Sequence, residues 1–188
     1  MHIRLLRLCL LVFAAFLGAC SSGNIGPERD ANDPSNSLVF AYVDMDEAPT
    51  KVQGASLKPQ GQEGYWQMGV IDHGDGQILI QSYLPPGSYQ LASLRGSGFF
   101  AGNNVYQFPT YGRNETAVRI QKPGIYFMGS YRYRKVKTGF FEGDKFAFER
   151  VSTPAELELL QRLQREDWVK GTQWEARLRN RIAELGRK

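Results

Sequence analysis

From Leu38 to Val151 the apolar positions fall in short runs, most of them alternating with polar ones and separated by Gly, Pro and Asp. Leu38–Val43 is a continuous apolar run closed by Asp44, which suits a core strand. Lys51–Lys58, Tyr65–Ile71, Gln77–Tyr83, Ser88–Leu94, Asn104–Phe108, Glu115–Ile120, Ile125–Val136 and Lys145–Val151 read as further strands. Asp72-His73-Gly74-Asp75-Gly76 joins two of them and reads as a hairpin turn, because Gly and Asp tolerate positive φ. Gly129, inside a long strand, predicts a bulge or a close backbone contact. Short strands with regular turn punctuation predict a mainly β chain folded as an antiparallel β-sandwich over residues 37–151.

After Val151 the period changes. Thr153-Pro154-Ala155-Glu156 has the form of a capping box with Pro at the first helical position. Leu157, Leu160 and Leu163 follow at helical spacing, and Lys170-Gly171 ends that helix. Thr172-Gln173-Trp174-Glu175 is a second capping box, and Trp174, Leu178, Ile182 and Leu185 then form one stripe. Residues 152–188 are thus an amphipathic helix pair. The stripe suits packing on the sandwich better than a membrane surface, because acids are mixed among its bases.

Leu84-Pro85-Pro86-Gly87-Ser88-Tyr89-Gln90-Leu91 resembles the signature of prealbumin-like (transthyretin-type) and carboxypeptidase-regulatory-like sandwich modules. Lys122-Pro123-Gly124-Ile125-Tyr126 repeats the Pro-Gly-x-aromatic pattern. The whole is similar to small proteobacterial lipoproteins that carry such a sandwich and a helical tail. The resemblance implies a fold and a non-catalytic role, and it brings no catalytic residue with it.

The first residues have a different character. Arg4 and Arg7 precede an almost unbroken apolar run from Leu8, the layout of a secretory leader. The run is shorter than the ~20 residues a permanent span needs. It ends in Leu17-Gly18-Ala19-Cys20, which resembles the bacterial lipobox. That resemblance implies cleavage after residue 19 and acylation of Cys20, with palmitate-type chains holding the protein to a membrane. Ser21 after the cysteine resembles the sorting pattern for the outer membrane, facing the periplasm. Residues 20–36, rich in Ser, Gly, Asn, Pro and Asp, read as a flexible tether.

Composition narrows the functions. Lys and Arg outnumber Asp and Glu by 23 to 19, and two of the arginines leave with the leader. The remaining balance gives no concentrated basic face for nucleic acid. The two cysteines are Cys9, lost with the leader, and Cys20. No thiol is left for a disulfide, for catalysis or for a metal.

His73 stands beside Asp72 and Asp75, but a zinc site needs three or four ligands, and the segment reads as a solvated turn. Asp44, Asp46 and Glu47 have the oxygen chemistry Ca²⁺ prefers but lack EF-hand spacing, and they read as a turn ending at Pro49. Tyr131, Arg132, Tyr133, Arg134, Lys135 and Lys137 place cations and aromatics on one ribbon, a candidate surface for phosphate, an acidic glycan or an acidic protein of the envelope. The alternative is an ordinary strand charged to discourage edge pairing. No catalytic residue, metal site or cofactor is predicted. The sequence favours a lipid-anchored, non-catalytic binding or scaffolding module of the cell envelope. The alternative is a carboxylate-dependent hydrolase acting on envelope glycan or lipid through Asp44, Asp46, Asp72 and Asp75.

Overall fold

The computed structural model describes Asp30 and residues 32–98, 102–108, 116–136 and 145–187. The chain is mainly β, with two helices at its C-terminal end. The strands are β1 (Ser37–Asp44), β2 (Lys51–Pro59), β3 (Trp66–His73), β4 (Gly76–Leu84), β5 (Gly87–Gly98), β6 (Gly102–Gln107), β7 (Ala117–Ile120), β8 (Ile125–Val136) and β9 (Lys145–Val151). They are followed by α1 (Glu156–Leu163), a 3-10 turn (Asp167–Val169) and α2 (Gln173–Leu185).

The expected pair of separate sheets is replaced by one continuous sheet curled into a half-barrel. Its order is β6-β5-β2-β3-β4-β1-β8-β9, with β7 also on β5. The continuity comes from β3, which changes neighbours midway. Trp66, Gln67 and Met68 pair with β2, and Gly69 to His73 pair with β4. A strand that switches partners in this way makes a corner between two sheet halves. The halves then face each other over a shared core that includes Val39, Leu57, Leu79, Leu91, Leu94 and Tyr131. One pairing is not antiparallel, since β1 runs parallel to β8.

The ends of the strand order meet through rings. Phe108, just after β6, stacks on Phe148 of β9 with centroids 4.3 Å apart, and Tyr106 meets Phe146 edge-on at 5.3 Å. Gly129 forms the expected bulge. Phe40 faces Phe127 while Tyr42 faces Ser130, so β8 carries one extra residue there, and Gly129 sits at φ +120°.

The helices cover the outer face of the sheet. Leu159, Leu160, Leu163, Val169, Trp174 and Leu178 are buried against Leu38, Phe40, Tyr42 and Ile78. Residues 152–187 therefore share a core with the sheet. β1 is buried on both faces, odd positions toward the half-barrel and even positions toward the helices, which explains its continuous apolar run.

The first capping box does not form. α1 starts at Glu156 with Ala155 as an extended cap and no side-chain capping bond. Instead Ser130 donates its hydroxyl to the Pro154 carbonyl at 2.6 Å, which ties the segment between β9 and α1 to β8. The second forms in a shifted version: Thr172 Oγ1 accepts from the Trp174 N–H, and Glu175 reaches past the cap to the Gly171 N–H at 3.0 Å, while the Thr172 N–H donates to the Val169 carbonyl.

The last part of the expected tether is also ordered. The Asp33 N–H and the Asn36 side-chain amide both donate to the Asp30 carbonyl at 3.1 Å. Arg177 of α2 donates to the Asn36 and Pro34 carbonyls at 2.9 and 2.8 Å. Gln173 donates its side-chain amide to the Asp33 carbonyl at 2.8 Å. These bonds fasten a strap of backbone across the first turns of α2.

Candidate functional site

Cys20 and Lys137 lie outside the described residues. Alternation along β8 separates the rest of the predicted ribbon into two environments. Tyr131 and Tyr133 point into the half-barrel and are 2% and 5% exposed. The Tyr131 hydroxyl donates to the Met128 carbonyl at 2.8 Å. These two tyrosines are largely core residues, and only Tyr133 reaches a cleft, so the outward face of the predicted ribbon is cationic and not a mixed aromatic and cationic one.

Arg132 and Arg134 face outward, but acids on neighbouring strands engage them. Arg132 Nε donates to Asp44 on β1 at 2.7 Å. Arg134 binds Glu149 on β9 at 3.2 Å and also Glu47. Hydrogen bonds that it donates to Glu149 and then to Glu47 hold the Arg134 guanidinium above its ordinary pKa. The parallel β1–β8 pairing brings Asp44 beside Arg132, so the acidic strand end read as a solvated turn is partly one side of an ion pair. His73 is also less solvated than its turn suggested. Its ring contacts Tyr42 edge-on, and Nε2 lies 3.3 Å from Glu158 of α1.

Two clefts open at the end of the half-barrel where β1 finishes. The larger, about 690 Å³, lies between the loop after β1, the β3–β4 hairpin and the end of β5. Asp46, Asp72 and Asp75 line it with Lys51 and Gln53. Gln77 braces its edge. The Val52 N–H donates to Gln77 Oε1 at 2.9 Å, and Gln77 Nε2 donates to the Val52 carbonyl at 3.0 Å and to Asp72 Oδ1 at 3.1 Å. This amide spans from β4 to β2 where β3 no longer pairs with β2.

The smaller cleft, about 380 Å³, is lined by Glu47, Val105, Tyr106, Tyr133, Lys135 and Phe146 among others. Ala48 and Pro49 border both clefts. Thr50 and Tyr106 share a buried hydroxyl–hydroxyl bond of 2.7 Å that fixes the intervening loop to β6. Thr50, Gln77 and Tyr106 carry no local sequence signal for this role, since their partners are distant in the chain.

Among the described residues no group of three or more His, Cys, Asp or Glu is placed to hold a metal ion. Among them no helix is long and apolar enough to cross a membrane.

The resemblance motif acquires a physical content. In both Pro-Gly-x-Tyr segments the tyrosine hydroxyl donates to a carbonyl four residues upstream, Tyr89 to Pro85 at 2.9 Å and Tyr126 to Lys122 at 2.6 Å. A Cβ on Gly87 or Gly124 would press on that ring at 3.2–3.3 Å. Glycine leaves room for the ring to close the turn, the device of a tyrosine corner.

No family model matches the chain, and no curated protein matches its sequence. A solved leucine-rich repeat protein from Bacteroides thetaiotaomicron is similar over 52% of this chain and 12% of its own length, at 6% identity and a TM-score of 0.35. The chain thus spans about an eighth of that protein, and a likeness this weak carries no argument about fold or function.

Proposed function

We propose that the chain is a lipid-anchored, non-catalytic binding module of the bacterial envelope, held at the periplasmic face of the outer membrane through Cys20. We also take the half-barrel as a variant of the prealbumin-like sandwich, a reading supported by its two Pro-Gly-x-Tyr corners. The observation that carries the proposal is Leu17-Gly18-Ala19-Cys20 placed directly ahead of a single β domain.

The partner site is the mouth of the half-barrel, where the aromatic cleft of Tyr106 and Phe146 meets Lys135 and Glu47. Arg132 and Arg134 help to build that end through ion pairs within the domain, while the cleft supplies the contact. An extended peptide or glycan of an envelope component fits a shallow cleft of mixed aromatic and charged lining. Two experiments test the reading. Palmitate labelling and membrane fractionation should follow the wild-type chain and be lost in Cys20→Ser; unchanged labelling would refute the anchor. Photo-crosslinking from position 105, whose side chain is exposed at the cleft, should capture one reproducible envelope component, and Lys135→Glu should abolish that capture. Capture unaffected by that change would move the site elsewhere.

One observation favours a second reading. Asp46, Asp72 and Asp75 line a single cleft, and glycan hydrolysis uses two carboxylates across one cleft, about 5–10 Å apart. If this cleft is a hydrolase site, the purified chain releases product from envelope glycan or phospholipid, and Asp72→Asn with Asp75→Asn stops it.

A further inference from the structure

The strap at the head of the domain determines which side of the molecule can meet a bilayer. It ends where β1 begins, on the first turns of α2, through bonds from Gln173 and Arg177. Upstream, Cys20 and Asp30 are ten residues apart. Whatever its conformation, that length of chain reaches at most about 35 Å. A domain of about 150 residues has a radius of gyration of roughly 15 Å, so it is roughly 40 Å across. A maximal reach below the domain's width keeps the strap side toward the membrane. The mouth of the half-barrel lies at the other end of β1, about 25 Å away for eight strand residues.

The strap side carries the turn between α1 and α2. Trp168, five residues before Gln173, stands out there because its large apolar ring is 36% exposed while the next residue, Val169, is fully buried. The turn is firmly built. The Thr172 N–H and hydroxyl both donate to the Val169 carbonyl, at 3.1 and 2.7 Å, and Lys170 pairs with Asp167 at 2.6 Å. Trp168 is therefore presented on a hydrogen-bonded turn. An indole has an apolar body and one N–H donor, the combination that concentrates at the headgroup level of bilayers. Lys170, largely exposed beside it, can reach lipid phosphates.

We propose that Trp168 is an interfacial membrane contact, seating the helix–helix turn on the phospholipid surface and leaving the mouth of the half-barrel open to the periplasm. This rests on acyl anchoring at Cys20. The strap makes anchoring directional, because an undocked linker would let any face approach the lipid.

The experiment uses the full acylated chain in vesicles of phosphatidylethanolamine and phosphatidylglycerol, with and without bromine on the acyl chains. Bromine quenches tryptophan only near the bilayer. Wild-type protein should lose emission in brominated vesicles, and Trp168→Phe should lose that response while still floating with the vesicles, since Trp174 is buried and Trp66 lies on the β2–β3 pairing. Protein that floats with the vesicles but shows no bromine response overturns the seating and leaves the anchor intact. The same response in Trp168→Phe also overturns it. Protein that neither carries acyl chains nor floats overturns the anchor and the seating together.

Discussion

The two faces of the half-barrel are buried by different means. The inner face is closed by strands against strands, and its core near the seam is aromatic, with Tyr106, Phe108, Tyr131, Tyr133, Phe146 and Phe148 in mutual ring contact. The outer face is closed by segments from the two ends of the chain, α1 and α2 from one and the strap from the other. Its core is largely aliphatic around Trp174. Both layers meet on β1, whose alternate side chains enter one or the other. A layer assembled from chain ends could be a removable cover, but shared burial of β1 makes it part of the cooperative fold.

Removing the outer layer tests this most severely. A chain ending at Val151 exposes Leu38, Phe40, Tyr42 and Ile78 together, and it should show no cooperative thermal transition by circular dichroism. A sharp transition in that fragment would make the outer layer a mere cover. Trp174→Ala should cost about 3–5 kcal/mol in urea unfolding through the cavity it leaves, with fluorescence and circular dichroism losing signal together. Separate transitions would mean that the layers unfold independently.

Gly76→Ala comes next, at about 1–3 kcal/mol for overpacking. A methyl there would strike the Tyr42 ring and the Val43 carbonyl, so the strain would fall on the outer layer. Tyr89→Phe should cost about 1 kcal/mol for one part-buried hydrogen bond. Tyr126→Phe, at the more exposed corner, should cost less, and equal losses would show that burial does not separate the two corners.

The smallest effect is one of pH. Burial, then the negative charges of Asp44, Asp75 and Glu158, raise the Tyr42 hydroxyl above its ordinary value of 10.0. The unfolded chain releases that proton first, so the contribution is complete below pH 10 and is lost as pH rises through the folded-state value. Tyr42→Phe should flatten the alkaline limb of the stability curve, and an unchanged limb would assign it to other groups.

Much of this arrangement is legible along the chain. The strands lie close to their expected positions because alternation and Gly-Pro punctuation report a half-buried ribbon directly. The hairpin at residues 72–76 is read correctly, but its two glycines act differently. Gly74 takes φ +56°, whereas Gly76 is needed for the room it leaves Tyr42. Space beside a distant ring leaves no local mark. The candidate ribbon shows the same limit. Alternation separates Tyr131 and Tyr133 from Arg132 and Arg134, yet it does not say that the tyrosine side is core or that Asp44, Glu47 and Glu149 meet the arginines. The strap reads as linker because its holding groups are backbone carbonyls, which every sequence has, and their donor lies 141 residues away at Arg177.

By itself, the sequence determined the local elements: the order of strands, the helix pair with its apolar stripe, the Pro-Gly-x-Tyr corners and the bulge at Gly129. Each follows from period, backbone preference or missing side-chain bulk within a few residues. Only the tertiary structure decided that β3 joins both halves of one curled sheet, that β1 lies parallel to β8, that the outward arginines meet acids, and that the head of the domain is strapped to α2. Those outcomes depend on which distant segments bury one another's surface and satisfy one another's hydrogen bonds. That is a property of the packed chain as a whole, and no short window of residues contains it.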